Sequence, residues 1–519
     1  MMPTRYRVRG ASRESCRHGV SRRPCSRCLW AMAGLLTGNL LLLALVLWSG
    51  CDWGWAAVLF LWLNLLLLCS GSGKPTAFFG GFLISFFVLL LSQSTLERVF
   101  GYSSGHYQPA GTRETTLILG VGLVTAAAAY FLPDTLRQAP LIRAAARIGR
   151  QLRGQRPGAA HRERWAGRPW GGHADDVRSA CLTIMIAAFP PSVFWLSSRI
   201  LGAGIANYQS LYVTESIEQG GGFTQTVGMY CAAIAVAAFL VFLATLPPRR
   251  AVVLPVALLA IIQGLYLMTG VRREFTVFII VLACYLVARH RLDPGEGWIT
   301  RRTVVVGTLG AAGLVGLFTA VENLRGLGSS SSAVSFLYNQ GVSIRVIDNV
   351  VRYGDQLPEQ FYLAPFAHSG IVGRLLGLPT LQGNSLLRAE IGGSLSHSLS
   401  RLVLGERSYL SGVTTGTSYL AEGYLQYGLI GVVAVSLAAG LALRYVDGLG
   451  GGSLTANALR MLIVPALIWM PRGPATEFIG TLVAVPTILA IGMVGGLALM
   501  FRAIQHHRYP LTAARVGPS

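Results

Sequence analysis

Apolar residues in this chain come in long unbroken runs, not in the alternation of strands or the one-sided stripe of soluble helices. About twelve runs stand out, at 30–49, 54–70, 76–93, 115–132, 179–198, 224–246, 252–269, 275–288, 303–320, 428–444, 455–470 and 478–500. Most have the length, about 17–25 residues, that carries a helix across some 30 Å of hydrocarbon. The runs at 275–288 and 455–470 are shorter and need their flanks. Because hydrocarbon offers the backbone no hydrogen-bond partner, the pattern predicts an all-α polytopic membrane protein with about 12 transmembrane helices. The run at 30–49 follows a basic segment, as in a signal peptide. It is longer than a typical signal core and further spans follow, so it reads as a retained helix.

The polar intervals divide the chain into a basic N-terminal tail at 1–28, nine helices across 29–320 interrupted by a basic loop at 133–178, and a long loop at 321–427. Three further helices fill 428–500, and a tail closes the chain at 501–519. Within the long loop, FLYNQGVSIRVIDNVVRYGDQL repeats its apolar positions near the helical period, and FYLAPFAHSG and GGSLSHSLSRL follow. Short helices are expected there, some lying on the membrane surface. Loops of this size with this much patterned content are commonly functional.

Charge then orients the chain. It is 52% hydrophobic and only 13% charged, with a net charge of +21. The positive residues gather beside apolar runs: Arg5 to Arg27 at the N-terminus, Arg137 to Arg178 in the loop, and pairs such as Arg249–Arg250 and Arg301–Arg302. Alternating the spans puts these blocks on one side, as the positive-inside rule requires. Both termini are then cytoplasmic and 321–427 is periplasmic. The basic blocks suit topology and contact with anionic membrane lipids; no nucleic-acid recognition motif accompanies them. Cys16, His18, Cys25 and Cys28 could in principle circle a zinc, but no second CxxC follows at finger spacing. No metal or cofactor motif is evident elsewhere.

The same alternation strands a few arginines outside. Arg272 and Arg273 in MTGVRREFTVF, Arg325 after the ninth run, and Arg472 in MPRGPATEF all fall on the outer side. Each could be a helix-end arginine that snorkels or bonds terminal carbonyls. Taken together they match a lipid-linked pyrophosphate, since guanidinium forks fit phosphate oxygens bidentately. Glu322 could pair with Arg325, and Arg345 and Arg352 could extend a basic strip or face solvent. The loop's two histidines, His368 and His397, are candidates for proton transfer or for plain packing.

Residues 411–433, SGVTTGTSYLAEGYLQYGLIGVV, carry Gly416, Ser418, Ala421, Glu422, Tyr424, Tyr427, Gly428 and Gly431. This stretch resembles the C-terminal signature of Wzy-type O-antigen and oligosaccharide repeat-unit polymerases. The Arg-Arg-Glu turn at 272–274 is similar to that family's arginine-bearing turn, and the order of elements over roughly 250–500 agrees. Gly416 suits a sharp turn, Gly428 and Gly431 suit close helix packing, and Glu422 and Tyr424 are expected just before the helix. The resemblance implies a GT-C-like, metal-independent glycosyltransferase of the bacterial inner membrane. Its donor and acceptor would be glycans on undecaprenyl pyrophosphate, with a chain-length regulator as a possible partner. It implies pyrophosphate binding by Arg272, Arg273, Arg325 and Arg472, glycan contact by Tyr424, charge stabilisation by Arg273, and a base drawn from Glu422, His368 and His397. Glu422 could instead cap the helix through its dipole. Two other functions remain open at this level. An O-antigen ligase-like transferase would share the plan, and a lipid-linked-sugar flippase would suit the span number, with Pro190–Pro191 as its broken-helix feature.

Overall fold

The computed structural model describes residues 26–49, 52–71, 76–102, 111–138, 171–203, 223–269, 271–305, 333–363 and 383–508, with isolated positions in 307–316 and 373–381. Among the described residues every regular element is helical, and ten helices are long and apolar enough to cross a membrane. They are α2 (Trp53–Gly71), α3 (Ala77–Phe100), α4 (Arg113–Gln138), α5 (Gly171–Ala203), α6 (Phe223–Ala244), α7 (Arg249–Met268), α8 (Arg272–Leu292), α14 (Tyr419–Asp447), α15 (Leu454–Trp469) and α17 (Val485–Arg508). Helix α1 (Ser26–Ser49) packs on α2 and covers the first apolar run. The run at 303–320 is described only in part, its described positions being helical, while residues 16–25, Glu322, Arg325, His368 and 139–170 lie outside the described residues. The chain is thus an integral membrane protein with ten spans described, against the expected twelve.

Between α8 and α14 lie α9 (Ala333–Gln340), α10 (Ile344–Tyr353), α11 (Leu386–Ile391), α12 (Leu395–Leu404) and α13 (Glu406–Leu410). These are the short helices that the loop's periodicity predicts. Helix α10 is amphipathic for a simple reason: Ile344, Val346, Ile347 and Val350 are buried against the bundle. Its polar side is tied down as well. Asp348 accepts hydrogen bonds from the Gly111 and Thr112 amides at 2.7 and 3.1 Å, capping the start of α4. Ser92 donates to the Leu337 carbonyl at 2.9 Å, next to a π-helical turn at Phe87–Leu91 in α3. Arg345 does not join a basic strip: it pairs with Glu97 at 3.4 Å, and Tyr338 donates to the same carboxylate.

The two ends of the bundle are chemically distinct. At the end remote from α9–α13, Asp447 is 4% exposed and accepts from the Phe78 and Phe79 amides and the Tyr130 hydroxyl at 2.9, 3.0 and 2.8 Å. One carboxylate at the foot of α14 thereby joins α3 and α4. Gly440 makes the approach possible, since a Cβ there would overlap the Ala126 carbonyl of α4. Arg178, Arg289 and Arg291 also sit at this end, bonded to the backbone of neighbouring turns. The other end, the loop face, carries the motifs.

Candidate functional site

Helix α14 does not start where its apolar run does. It begins at Tyr419, so Glu422 and Tyr424 lie within its first turns and not ahead of it. The apolar run marks a second segment, because Tyr427 and Gly428 break the helix with non-helical dihedrals. Gly428, at φ 58° and ψ −143°, holds a conformation open essentially to glycine alone. Past the break the chain doubles back on itself, and a Cβ on Gly431 would overlap the Gly423 carbonyl. Gly416, at φ 78°, makes the preceding turn. The motif glycines therefore build a bent, locally folded unit; Gly428 is the bend and not a packing contact.

That unit buries Glu422, which is 1% exposed. Its two oxygens are both engaged: one accepts from the Thr417 hydroxyl at 2.9 Å, the other from the Ala475 amide at 2.8 Å. A buried carboxylate is tolerated where hydrogen bonds replace its water. Here those bonds fasten the motif to the turn between α15 and α16 (Glu477–Val483). Tyr424 donates to the Glu114 carboxylate on the first turn of α4.

The turn that Glu422 holds carries Arg472, and it meets the start of α8. Trp469, 8% exposed, has the Arg273 guanidinium 5.7 Å and the Arg472 guanidinium 6.0 Å from its ring centroid. Arg273 also forms an ion pair with Glu477 and lies 3.9 Å from Glu274. Arg272 stands beside it at the first position of α8, half-buried. Two arginine-bearing turns about 200 residues apart in sequence thus share one indole. The second Glu477 oxygen is buried with no hydrogen-bond partner among the described residues.

His397 belongs to a different cluster. Its Nδ1 lies 3.0 Å from the Tyr409 hydroxyl, and burial together with the nearby Arg388 charge pushes the imidazole down to about 3. Such a ring stays neutral at physiological pH and accepts protons poorly. Arg325 and His368 lie outside the described residues. Of the expected residues, the structure gathers Arg272, Arg273, Arg472 and Glu422 about one turn, connects Tyr424 to it through the motif, and sets His397 apart. Trp469, Glu477 and Ala475 were not singled out beforehand. The signal for Glu477 was present in MPRGPATEF, where an acid follows Arg472 by five positions.

A family model described as O-antigen polysaccharide polymerase Wzy matches residues 174–502, well over half of the chain and including every element of this cluster. No curated protein and no solved structure matches.

Proposed function

The chain belongs to the O-antigen polysaccharide polymerase Wzy family, and from that premise we propose that it joins undecaprenyl-pyrophosphate-linked oligosaccharide repeat units at the cluster around Trp469. In this reading the loop face is periplasmic. The basic residues at the opposite end, among them Arg249, Arg250, Arg301, Arg302 and Arg502, favour that orientation by the positive-inside rule.

The observation that carries the proposal is the convergence of Arg273 and Arg472 on one indole at the membrane boundary. Arginine has five donors in a fixed fork. Arg273 can therefore keep its bond to Glu477 while presenting other N–H groups to a phosphate. Arg272 and Arg472 supply the remaining positive charge. Their task is to hold the donor's pyrophosphate and to stabilise the charge that grows on it as the glycosidic bond to the lipid breaks. The acceptor's sugar hydroxyl attacks the anomeric carbon, and its proton needs an acceptor nearby.

Glu422 is poorly placed for that, with both oxygens occupied and the side chain sealed from solvent. We assign it as a positioning residue that holds the Arg472 turn. Glu477 has one oxygen on Arg273 and one unpartnered among the described residues, so of the two carboxylates, Glu422 and Glu477, it is the one with capacity to take a proton.

The test is complementation of a deletion strain, with surface polysaccharide read on a gel at matched membrane levels. Arg273→Ala and Arg273→Lys are both expected to lose the ladder and leave a single repeat unit. A normal ladder from either variant would reduce Arg273 to a snorkelling helix end. Full-length glycan that never reaches the lipid core would favour a ligase, and lipid-linked units trapped in the cytoplasm a flippase.

A further inference from the structure

A second feature of the loop face lies away from the Trp469 cluster. Between α2 and α4 runs a cavity of about 860 Å³, within the range of small-molecule sites. Asp52, Arg98 and Arg113, at the loop-face ends of α2, α3 and α4, stand at its mouth. Below them the walls are Val58, Leu117, Val121 and Val124, with Thr116 and Thr125 the only hydroxyls. Arg113 and Thr125 are twelve positions apart on one helix, so the groove descends about 18 Å at 1.5 Å per residue. That is somewhat more than half of a hydrocarbon core about 30 Å thick, or one leaflet. Leu117 and Val124 are 51% and 52% exposed, so the groove opens sideways. Two glycines make the space: Gly120, whose Cβ would approach Val58, and Gly54 beside Thr116.

The charges at the mouth are unequal. Arg98 is occupied: it bonds the Gly111 carbonyl, lies 3.9 Å from Asp52 and stacks on Trp55 at 5.1 Å. Arg113 is exposed and has no partner among the described residues. It also sits at a helix N-terminus, where the macrodipole disfavours a cation and favours an anion. A cation there, above an apolar channel one leaflet deep, is matched by a ligand with a phosphate head and an aliphatic tail.

We propose that this groove seats a second lipid-linked pyrophosphate glycan, so that the two substrates of the joining reaction enter by separate routes. The inference rests on the function proposed above and assigns the groove to whichever substrate is not at Trp469. The two places are connected through the motif. Glu114 follows Arg113 and accepts from Tyr424, while Glu422, two residues before Tyr424, holds the turn that bears Arg472. A head group at Arg113 is thus next to a chain of contacts that ends at the arginines. The groove's one apolar channel, with Arg113 the cation that lacks a partner among its described lining residues, favours one isoprenoid chain on a pyrophosphate over a two-chain phospholipid.

The experiment uses the full-length protein in nanodiscs of phosphatidylethanolamine and phosphatidylglycerol. The probe is a polyprenyl pyrophosphate with a diazirine in its tail, and adducts are mapped by mass spectrometry after irradiation. Adducts are expected on 53–58 and 117–125 as well as near 272–280. Excess unlabelled polyprenyl pyrophosphate should displace the groove adducts, and added phosphatidylglycerol should not. Gly120→Leu, which fills the groove, should abolish adducts there while those near 272–280 persist, showing a folded protein. Arg113→Glu should weaken groove labelling in the same selective way. Labelling near 272–280 with none on α2 and α4 would overturn the groove and leave the proposed function standing. Groove adducts that phosphatidylglycerol displaces equally well would make it a phospholipid seat and overturn the inference too. Labelling at neither place would bring down both.

Discussion

Replacing Glu422 separates the two roles a buried motif carboxylate can have. Glu422→Ala removes the acceptor for the Ala475 amide and the Thr417 hydroxyl in a site from which water is excluded. A buried donor left unpaired costs about 1–3 kcal/mol. The hydroxyl can rotate toward another acceptor and the amide cannot, so the loss should total about 2–5 kcal/mol once the small void is included. Glu422→Gln is different. Its amide oxygen can accept from Ala475 and its NH2 can donate to the Thr417 oxygen, so both contacts survive at a cost of about 1 kcal/mol or less. If Glu422 positions the Arg472 turn, the alanine variant loses both several degrees of melting temperature in detergent and the polysaccharide ladder. The glutamine variant keeps both. A glutamine variant with wild-type melting and wild-type membrane level but no ladder would refute the reasoning, because only the capacity to take a proton would have changed.

Glu477→Gln is expected to give the opposite result, a stable protein without a ladder, since its amide still accepts from Arg273 but cannot accept a proton. Exchanging the pair, Arg273→Glu with Glu477→Arg, should restore the melting temperature lost in Arg273→Glu alone without restoring polymerisation; recovery of the ladder would make the pair structural only. Gly428→Ala forces a Cβ into φ 58°, ψ −143°, at a cost of about 1–3 kcal/mol, and should straighten α14 and release Glu422 from Ala475, read as faster hydrogen exchange at 470–476. His397, held down to about 3 against an ordinary 6.5, stays neutral in the folded loop while the unfolded chain takes up a proton. Its contribution is therefore neutral above about 6.5 and turns destabilising as pH falls toward 3, by about 1–2 kcal/mol at pH 5 for a partly exposed ring. Limited proteolysis at 386–410 should accelerate from pH 7 to 5 in the wild type and change less in His397→Gln, and equal acceleration in both would rule this out.

Which features were readable from the chain follows from what each depends on. The spans are set locally, since lipid leaves a long apolar run no alternative to helix, and eleven of the expected runs coincide with described helices, ten of them long and apolar enough to cross a membrane. The start of α14 was hidden because Glu422, Tyr424 and Gln426 interrupt the apolar pattern. Their partners, Ala475, Glu114 and the Tyr362 amide, come from elsewhere in the fold. Polar residues with distant partners look like loop in one dimension and become helix in three. Arg345 failed for the same reason, its partner Glu97 being 248 positions away. A broken charge rule, which needs only an assumed topology, marks Arg272, Arg273 and Arg472 as candidates. That rule marks them as a group, but only the shared indole joins Arg273 to Arg472 and leaves Arg345 out. Membership in such a site is therefore a question of charge against orientation, while role is a question of which oxygens and N–H groups remain unspent once the fold has used the rest. By that measure Glu422 is fully used, Arg273 partly, and Glu477 half. The chemistry should reside with the last two.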